Sequence, residues 1–580
     1  MPELRRLLPY LARYKPALAA GMVCLFAAKL VSVLAPQVLR YAVDDLTVSV
    51  TTRKLALYAG LIVGIALVEG VFRYFMRKLL IGVSRYVEYD LRNAFFAHLE
   101  RMSPSFYSHW RTGDLMSRAA NDIGAVRMVL GPGIMYPAET IVVTVASLGF
   151  MIAIDWQLTV LSLALMPVVS IAVKKFGEAI HSRFESIQAK MSDLSALVQE
   201  NLSGMRVVKA YGQEESEKKR FNQENQEYLR RNIELVKIWG LFYPLMSTLI
   251  GLATVLVLWW GGRLVVSGRL SLGELVAFFA YLSMLTWPMI AFGWVVNIYQ
   301  RGAASMKRLT TILDQAPGIR EKPVAVASLP EIRGQIEFRR VHFRHNGTPI
   351  LEDVNLRIEP GQTVAIVGPT GSGKTTLVSL VPRLYDVSEG QVLLDGVDVR
   401  ELPLARVRGA VGFVAQESFL FSTTVQENIG FGGAAADLEA VERSAKVAGL
   451  AGDVAEFAEG YQTMVGERGI TLSGGQKQRT AIARSLFIDP RILILDDALS
   501  SVDTETEERI LNELAGVLGQ RTALLVSHRI STVRGADLIV VLDHGRIVER
   551  GRHQELIDRD GLYAGLYRKQ LLEEELERLS

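Results

Sequence analysis

The sequence predicts an all-α transmembrane domain followed by an α/β domain built on a P-loop. Three observations predict it. About six apolar stretches of membrane-spanning length fall between residues 17 and 298. A strand, a Gly-rich loop and a helical run follow one another at 364–376. The chain also combines a positive mean hydropathy with 22% charged residues, which requires that apolar and charged residues be segregated along it.

At 580 residues the chain is too long for one core. Its net charge of +3 is close to balanced and gives no electrostatic footprint for nucleic acid. One cysteine, Cys24, excludes an intrachain disulfide and any cysteine metal cluster. It reads as a small apolar packing residue. Residues Met1 to Lys15 are basic and amphipathic, with Arg5, Arg6, Arg13 and Lys15 among Leu4, Leu7, Leu8 and Leu11. They lack the pattern of a cleavable signal peptide and are expected to form a helix on the cytoplasmic membrane face.

The expected spans are Ala17 to Leu39, Leu55 to Met76, Ile134 to Ile154, Leu158 to Lys175, Ile238 to Trp260 and Leu275 to Ile298. Short loops join the first to the second, the third to the fourth and the fifth to the sixth. Long polar stretches separate the second from the third and the fourth from the fifth. These stretches carry Arg85, Arg92, Arg101, Arg111, Arg118 and Arg127, then Arg183, Lys190, Arg206, Lys209, Lys218 and Arg220. Positive charge marks the cytoplasmic side, so the helices are expected to continue into the cytoplasm as long extensions.

The transmembrane domain is therefore assigned to residues 1–314. Pro317, Pro323 and Pro330 punctuate a linker at 315–332. From 333 to 580, Val/Ile-rich runs alternate with helical patterns, the sign of an α/β domain.

Val364 to Val367 reads as a buried strand. It leads into Gly368-Pro369-Thr370-Gly371-Ser372-Gly373-Lys374-Thr375-Thr376. Glycines let backbone N–H groups converge on phosphate oxygens, and the following helix adds its positive end. Lys374 would reach the β and γ phosphates of ATP, and the Thr375 hydroxyl would hold Mg²⁺. Arg491 to Asp496 is a second strand, ending in a carboxylate suited to Mg²⁺. Between these motifs, Leu472-Ser473-Gly474-Gly475-Gln476 precedes another helical run. It is either a simple helix cap or a second anion-binding surface, for a nucleotide held elsewhere.

These residues resemble the ATP-binding-cassette (ABC) ATPases. Leu472 to Gln476 is similar to the signature of that family. Gln416 resembles its Q-loop, Gly466-Glu467-Arg468-Gly469 the X-loop of exporters, Ser500-Ser501-Val502-Asp503 the D-loop, and His528 the switch histidine. Six spans ahead of one cassette resemble an exporter half-transporter of type I fold, exporting drugs, lipids or peptides, and the resemblance covers nearly the whole chain. Gly113-Asp114-Leu115, Asn121-Asp122 and Gly204 to Lys209 resemble the stretches that dock membrane helices onto cassettes. The resemblance implies two cassettes with ATP between the Gly-rich loop of one and Ser473, Gly475 and Gln476 of the other. Asp503 would reach the same interface, and Gln416 would join Thr375 and Asp496 at Mg²⁺. It implies a multi-pass protein of the cell membrane, its cassette in the cytoplasm, with a second half-transporter as partner and an amphipathic substrate.

The sequence departs from that family twice. The family has a water-polarising Glu after the strand carboxylate, and this chain has Asp497. A carboxylate one methylene shorter falls back by about 1 Å, a misplacement that can lower a rate about a hundredfold. The departure favours the degenerate subunit of a bacterial heterodimer. The alternatives are a homodimer with slow hydrolysis, to which the retained His528 adds weight, and a membrane regulator gated by ATP. The second departure is His345, where the family has an adenine-stacking Tyr; an imidazole stacks with less area, and a surface histidine is an equal reading.

Lys29, Glu69, Arg73 and Glu139 fall in or near the spans. Glu69 and Arg73 are spaced as a helical i,i+4 pair, either neutralising each other or lining a polar cavity wall. Trp156, Trp259 and Trp260 are expected as interfacial anchors, and Pro167 and Pro288 as kinks. The tail from Glu573 to Glu577 reads as a solvated acidic helix.

Overall fold

The computed structural model describes residues 2–164, 166–321, 331–433, 436–500, 504–519 and 521–579. The chain forms two compact units, Met1–His98 with Gly113–Gln315, and Leu99–Thr112 with Ala316–Ser580.

The first unit is helical. Its main helices are α1 (Lys15–Val48), α2 (Thr52–Glu100), α3 (Pro132–Ile154), α4 (Trp156–Ala164), α5 (Met166–Ser203), α6 (Glu214–Val266), α7 (Leu272–Met284) and α8 (Thr286–Leu313). Among the described residues, five helical stretches are long and apolar enough to cross a membrane. They are Lys15–Val48, Thr52–Glu100, Thr112–Ile154, Glu214–Val266 and Leu272–Leu313. The fourth expected span falls on α4 and the start of α5, with residue 165 outside the described residues. With 49 and 53 residues, α2 and α6 run about 74 and 80 Å at 1.5 Å per residue. Hydrocarbon is only about 30 Å thick, so both helices extend well beyond it.

Pro288 does more than kink a helix. The helix breaks at Leu285, and Pro288 lies in the first turn of α8, where its missing N–H removes no bond. Pro167 lies in the first turn of α5 in the same way.

Polar contacts fix how the helices meet. The Asp44 carboxylate on α1 accepts from Ser271 Oγ and from Gly273 N, both at 2.7 Å, at the start of α7. A Cβ on Gly273 would lie 2.2 Å from the Arg40 carbonyl oxygen, so only glycine permits this approach. Glu69 and Arg73 pair along α2. Lys29 of α1 pairs with Glu139 of α3, a partner that no local spacing signals. Both pairs meet the requirement that charges at membrane depth be neutralised. Arg263 lies over the rings of Trp259 and Trp260 at 5.7 and 6.0 Å. At the N-terminus, short helical turns over Pro2–Leu7 and Leu8–Arg13 bury Leu7 and pair Arg6 with Asp314.

Among the described residues, the second unit holds ten strands. They are β1 (Ile336–His345), β2 (Thr348–Ile358), β3 (Thr363–Val367), β4 (Glu389–Leu394), β5 (Val397–Asp398), β6 (Val411–Val414), β7 (Ile492–Asp496), β8 (Thr522–Val526), β9 (Leu538–Asp543) and β10 (Arg546–Gly551). A four-stranded antiparallel sheet runs β2-β1-β4-β5, and a six-stranded sheet runs β10-β9-β3-β8-β7-β6. In the larger sheet every pairing is parallel except that of the edge strand β10. Strands β7 and β8 are buried at every residue, which explains their unbroken apolar runs.

The parallel arrangement decides where chemistry sits. It brings the carboxyl ends of β3, β8, β7 and β6 to one edge, where open α/β sheets bind ligands.

Candidate functional site

Each of those four strands ends in a residue singled out from the sequence. Strand β3 runs into Gly368, β7 ends at Asp496 and leads to Asp497, β8 leads through Ser527 to His528, and β6 leads to Gln416.

The Gly-rich loop is held open by its backbone. Gly368, Gly371 and Gly373 have φ of 149°, 82° and 100°. A Cβ on Gly368 would meet the Leu542 carbonyl oxygen at 2.0 Å. The loop then enters the short helix Lys374–Ser379, whose N-cap Gly373 offers no side-chain acceptor. The hairpin after β9 braces the loop, with Gly545 N donating to the Ser372 carbonyl at 3.2 Å. Thr370 and Gly371 at the tip are exposed, Pro369 and Thr376 half-buried.

Lys374 is buried and folds back on the loop, donating to the carbonyls of Gly368 and Pro369, both at 2.9 Å. Burial pushes its pKa below the ordinary value, while Asp497 and Asp496 pull the other way. Thr375 Oγ1 donates to Asp496 Oδ1 at 3.1 Å. Asp496 is 1% exposed, and burial raises its pKa above the ordinary carboxylate value. Its second oxygen and the buried Ser372 hydroxyl have no hydrogen-bond partner among the described residues. Buried orphan polar atoms of this kind call for an explanation. Converging N–H groups, a lysine and a Thr–Asp oxygen pair fit a phosphate chain with a hard divalent cation.

Asp497 has φ of 51°, a left-handed backbone held by its N–H bond to the Val526 carbonyl at 2.8 Å. With His528 it lines one cavity beside the sheet edge. Gln416 is exposed and makes no hydrogen bond to Thr375 or Asp496. His345, at the end of β1, meets Tyr385 edge-on at 6.5 Å. Its hairpin lies against the Gly-rich loop, since a Cβ on Gly373 would be 2.9 Å from Leu351. Tyr385 is an aromatic neighbour that the motif pattern did not single out.

Ser473, Gly475 and Gln476 form a separate group. Ser473 caps helix α9 (Gly474–Phe487), and it exchanges two bonds with Gln476 in a capping box. These residues make no hydrogen bond to the Gly-rich loop and do not line the cavity of Asp497 and His528. Farther along α9, Arg484 donates to the Phe419 and Asn428 carbonyls, tying this helix to the segment after Gln416. Burial lowers its pKa to about 10. Gly466 to Gly469 forms a short turn. Asp503 lies outside the described residues.

Known proteins match nearly the whole chain. The family described as "ABC transporter transmembrane region" matches residues 18–289, and that described as "ABC transporter" matches residues 351–500. The chain is 40% identical to the multidrug resistance-like ATP-binding protein MdlA of Escherichia coli, over 93% of this chain and 92% of that one. It is 38% identical to the probable multidrug resistance ABC transporter ATP-binding/permease protein YheI of Bacillus subtilis, over 95% of each. It is 35% identical to the ATP-dependent lipid A-core flippase of Syntrophus aciditrophicus, over 99% and 96%. Among solved structures, that of a bacterial Atm1-family ABC exporter with ATP bound matches with a TM-score of 0.77 at 29% identity, over 96% of this chain and 99% of that one.

Proposed function

The chain belongs to the ABC transporter family, a multi-pass protein of the cell membrane whose cytoplasmic ATPase domain couples hydrolysis to transport, and we propose that it exports amphipathic compounds as one subunit of a heterodimer. In this reading its own nucleotide site is weak, and its partner performs most of the hydrolysis.

One observation carries the weak-site reading. Asp497 follows Asp496 at the sheet edge, with its backbone fixed by the bond to Val526. A fixed backbone cannot advance to compensate for a side chain one methylene too short. The carboxylate then sits back from an attacking water by about 1 Å, enough for about a hundredfold in rate. His528 is retained, which favours the second reading, a homodimer with slow hydrolysis.

The remaining residues take these roles. Gly368 to Gly373 present N–H groups to the phosphates of ATP, Lys374 leaves its two carbonyls for phosphate oxygens, and Thr376 adds a hydroxyl. Thr375, Asp496 and Gln416 would hold Mg²⁺, which neutralises charge on the transferred phosphoryl group. His345 would stack on the adenine. Ser473, Gly475, Gln476 and Asp503 serve the nucleotide of the partner.

Two further points support a dimer and its cargo. The most apolar stretch of α2 has none of its residues buried within the chain, and α2 carries the Glu69–Arg73 pair. A charged face of that kind suits a protein partner or a polar cavity better than lipid tails. Relatives named for multidrug resistance and for lipid A-core flipping make an amphipathic cargo the natural class. Closure on ATP by alternating access requires tighter nucleotide binding to the closed state.

The test is ATPase activity of the purified chain, alone and with a second half-transporter. Alone, the chain is expected to turn over slowly, and Asp497→Glu to raise its rate about tenfold or more. Robust hydrolysis by the chain alone, abolished by Asp497→Asn, overturns the weak-site reading. Export is tested by ATP-dependent accumulation of an amphipathic dye in inside-out vesicles; hydrolysis without accumulation favours a gated regulator.

A further inference from the structure

We propose that Glu507 is a positioning residue for hydrolysis, holding the loop around His528 and joining it to the helix that Ser473 caps. Glu507 lies on helix α10 (Thr504–Leu518), on the same face as Ile510, Leu511 and Leu514. It is 2% exposed. A carboxylate on an apolar helix face carries a large desolvation penalty unless it is paired.

Its partners come from the loop after β8. Glu507 accepts from the Arg529 guanidinium and from the Thr532 hydroxyl. Arg529 directly follows His528, and its backbone N–H donates to Ser527 Oγ at 2.9 Å. Both neighbours of His528 are thereby tied, while His528 itself is exposed. Charge-assisted bonds to a buried carboxylate are the strong kind, so Glu507 sets the posture of this loop.

The same carboxylate reaches a second element. Arg529 Nη2 approaches the Ser500 carbonyl at 3.5 Å, and the Ser500 hydroxyl accepts from Gln478 Nε2 at 2.9 Å. Gln478 lies on α9, whose capped N-terminus carries Ser473 and Gly475. Glu507, Ser500, His528 and Arg529 also line the cavity that contains Asp497. One buried acid thus braces two surfaces, the loop of His528 and the helix of the signature. A contiguous chain of contacts is not proof of coupling, so the test must read coupling directly.

The inference holds for either assembly. In a dimer of identical chains Glu507 acts through His528 at the same chain's nucleotide; beside a different partner it acts through Gln478 and α9 on the partner's nucleotide.

The experiment uses the full-length transporter, assembled with its second half and reconstituted in lipid vesicles. Glu507→Gln keeps the shape and removes the charge. We expect kcat for ATP to fall about tenfold. KM and MgATP affinity should stay within about twofold, because the Gly-rich loop is untouched. Arg529→Gln should match that loss, and the double variant should be no worse than either single one. Thr532→Val should lower kcat less and serves as the test if Glu507→Gln does not fold. Unchanged turnover per folded molecule overturns the proposal, as does a raised KM at constant kcat. Independent multiplication of the Glu507 and Arg529 effects overturns the pairing.

Discussion

Two glycine-rich loops stand ahead of helices in the nucleotide-binding domain, and their backbones are satisfied in opposite ways. In Gly368 to Thr375, three glycines at positive φ hold the loop open, no side chain caps the helix, and Lys374 spends its ammonium on two carbonyls. In Ser473 to Gln476, a reciprocal capping box answers two of the orphan N–H groups of α9. The first loop has no side-chain cap, and beside it a buried carboxylate oxygen has no partner among the described residues. The second has two of its donors already answered at rest. The contrast teaches which loop can hold a nucleotide unaided. The open loop has unmet bonds that a triphosphate would satisfy, whereas the capped one offers a rigid surface that adds contacts once a nucleotide is held against it.

Removing the charge from the open loop should have the largest effect. Lys374→Met deletes the buried cation at the carboxyl end of β3 and removes its bonds to the carbonyls of Gly368 and Pro369. Hydrolysis at this chain's own site is expected to fall about a thousandfold, the scale of losing a donor that stabilises developing charge. Steady-state ATPase of the purified chain alone measures this directly. A loss of tenfold or less would mean that the backbone N–H groups alone carry the phosphate, and the contrast between the loops would lose its force.

Much of this site was legible from local pattern. A strand, a Gly-rich turn and a helix lie within a dozen residues, so Gly368 to Thr376 could be read without tertiary knowledge. Asp496 and His528 were legible because each follows a buried apolar run, and parallel pairing then brings the strand ends together. Glu69 and Arg73 announced themselves by i,i+4 spacing. What stayed hidden depends on distance in sequence. Lys29 meets Glu139 across two helices, and Glu507 meets Arg529 across a helix and a strand. A weak signal for Glu507 did exist, since an acid sits where the helical period calls for an apolar residue. The folded-back posture of Lys374 has no sequence signal, because it is set by carbonyls that the loop turns inward.

The carboxylate next to the open loop sharpens the comparison with a stability test. Asp496 has its pKa raised by burial, so the protonated form is favoured on folding. Its contribution to stability is fully present below the ordinary carboxylate value of 3.8 and is lost as pH rises through the raised one. At neutral pH the group therefore opposes folding of the nucleotide-free domain. Asp496→Asn should raise the melting temperature at pH 7, and the gain should shrink toward acid pH. The same change removes a hard oxygen ligand for Mg²⁺, and hydrolysis by the chain alone should fall about a hundredfold. Calorimetry across pH, paired with ATPase, checks both halves. A variant less stable at pH 7 would mean that the Thr375 bond outweighs the burial of charge.

The capped loop should answer to mutation through stability first. Ser473→Ala removes the acceptor for Gln476 N and loosens the return bond from Ser473 N to the Gln476 carboxamide. Loss of a Ser cap destabilises by about 1 kcal/mol. In a domain of this size that shifts the melting temperature by about 2–4 °C. Nucleotide affinity at Lys374 should not change, because no bond joins the two loops, while turnover should fall through the nucleotide that α9 faces in the dimer. Ser473→Asn discriminates between the two consequences. Asparagine caps a helix as well as serine does, so the melting temperature should return to that of the parent chain. Its bulkier amide changes the surface presented to a phosphate, so turnover should stay low. If turnover returns together with the melting temperature, Ser473 acts only as a cap, and the donor surface of this loop must be assigned to the backbone of Gly474 and Gly475 alone.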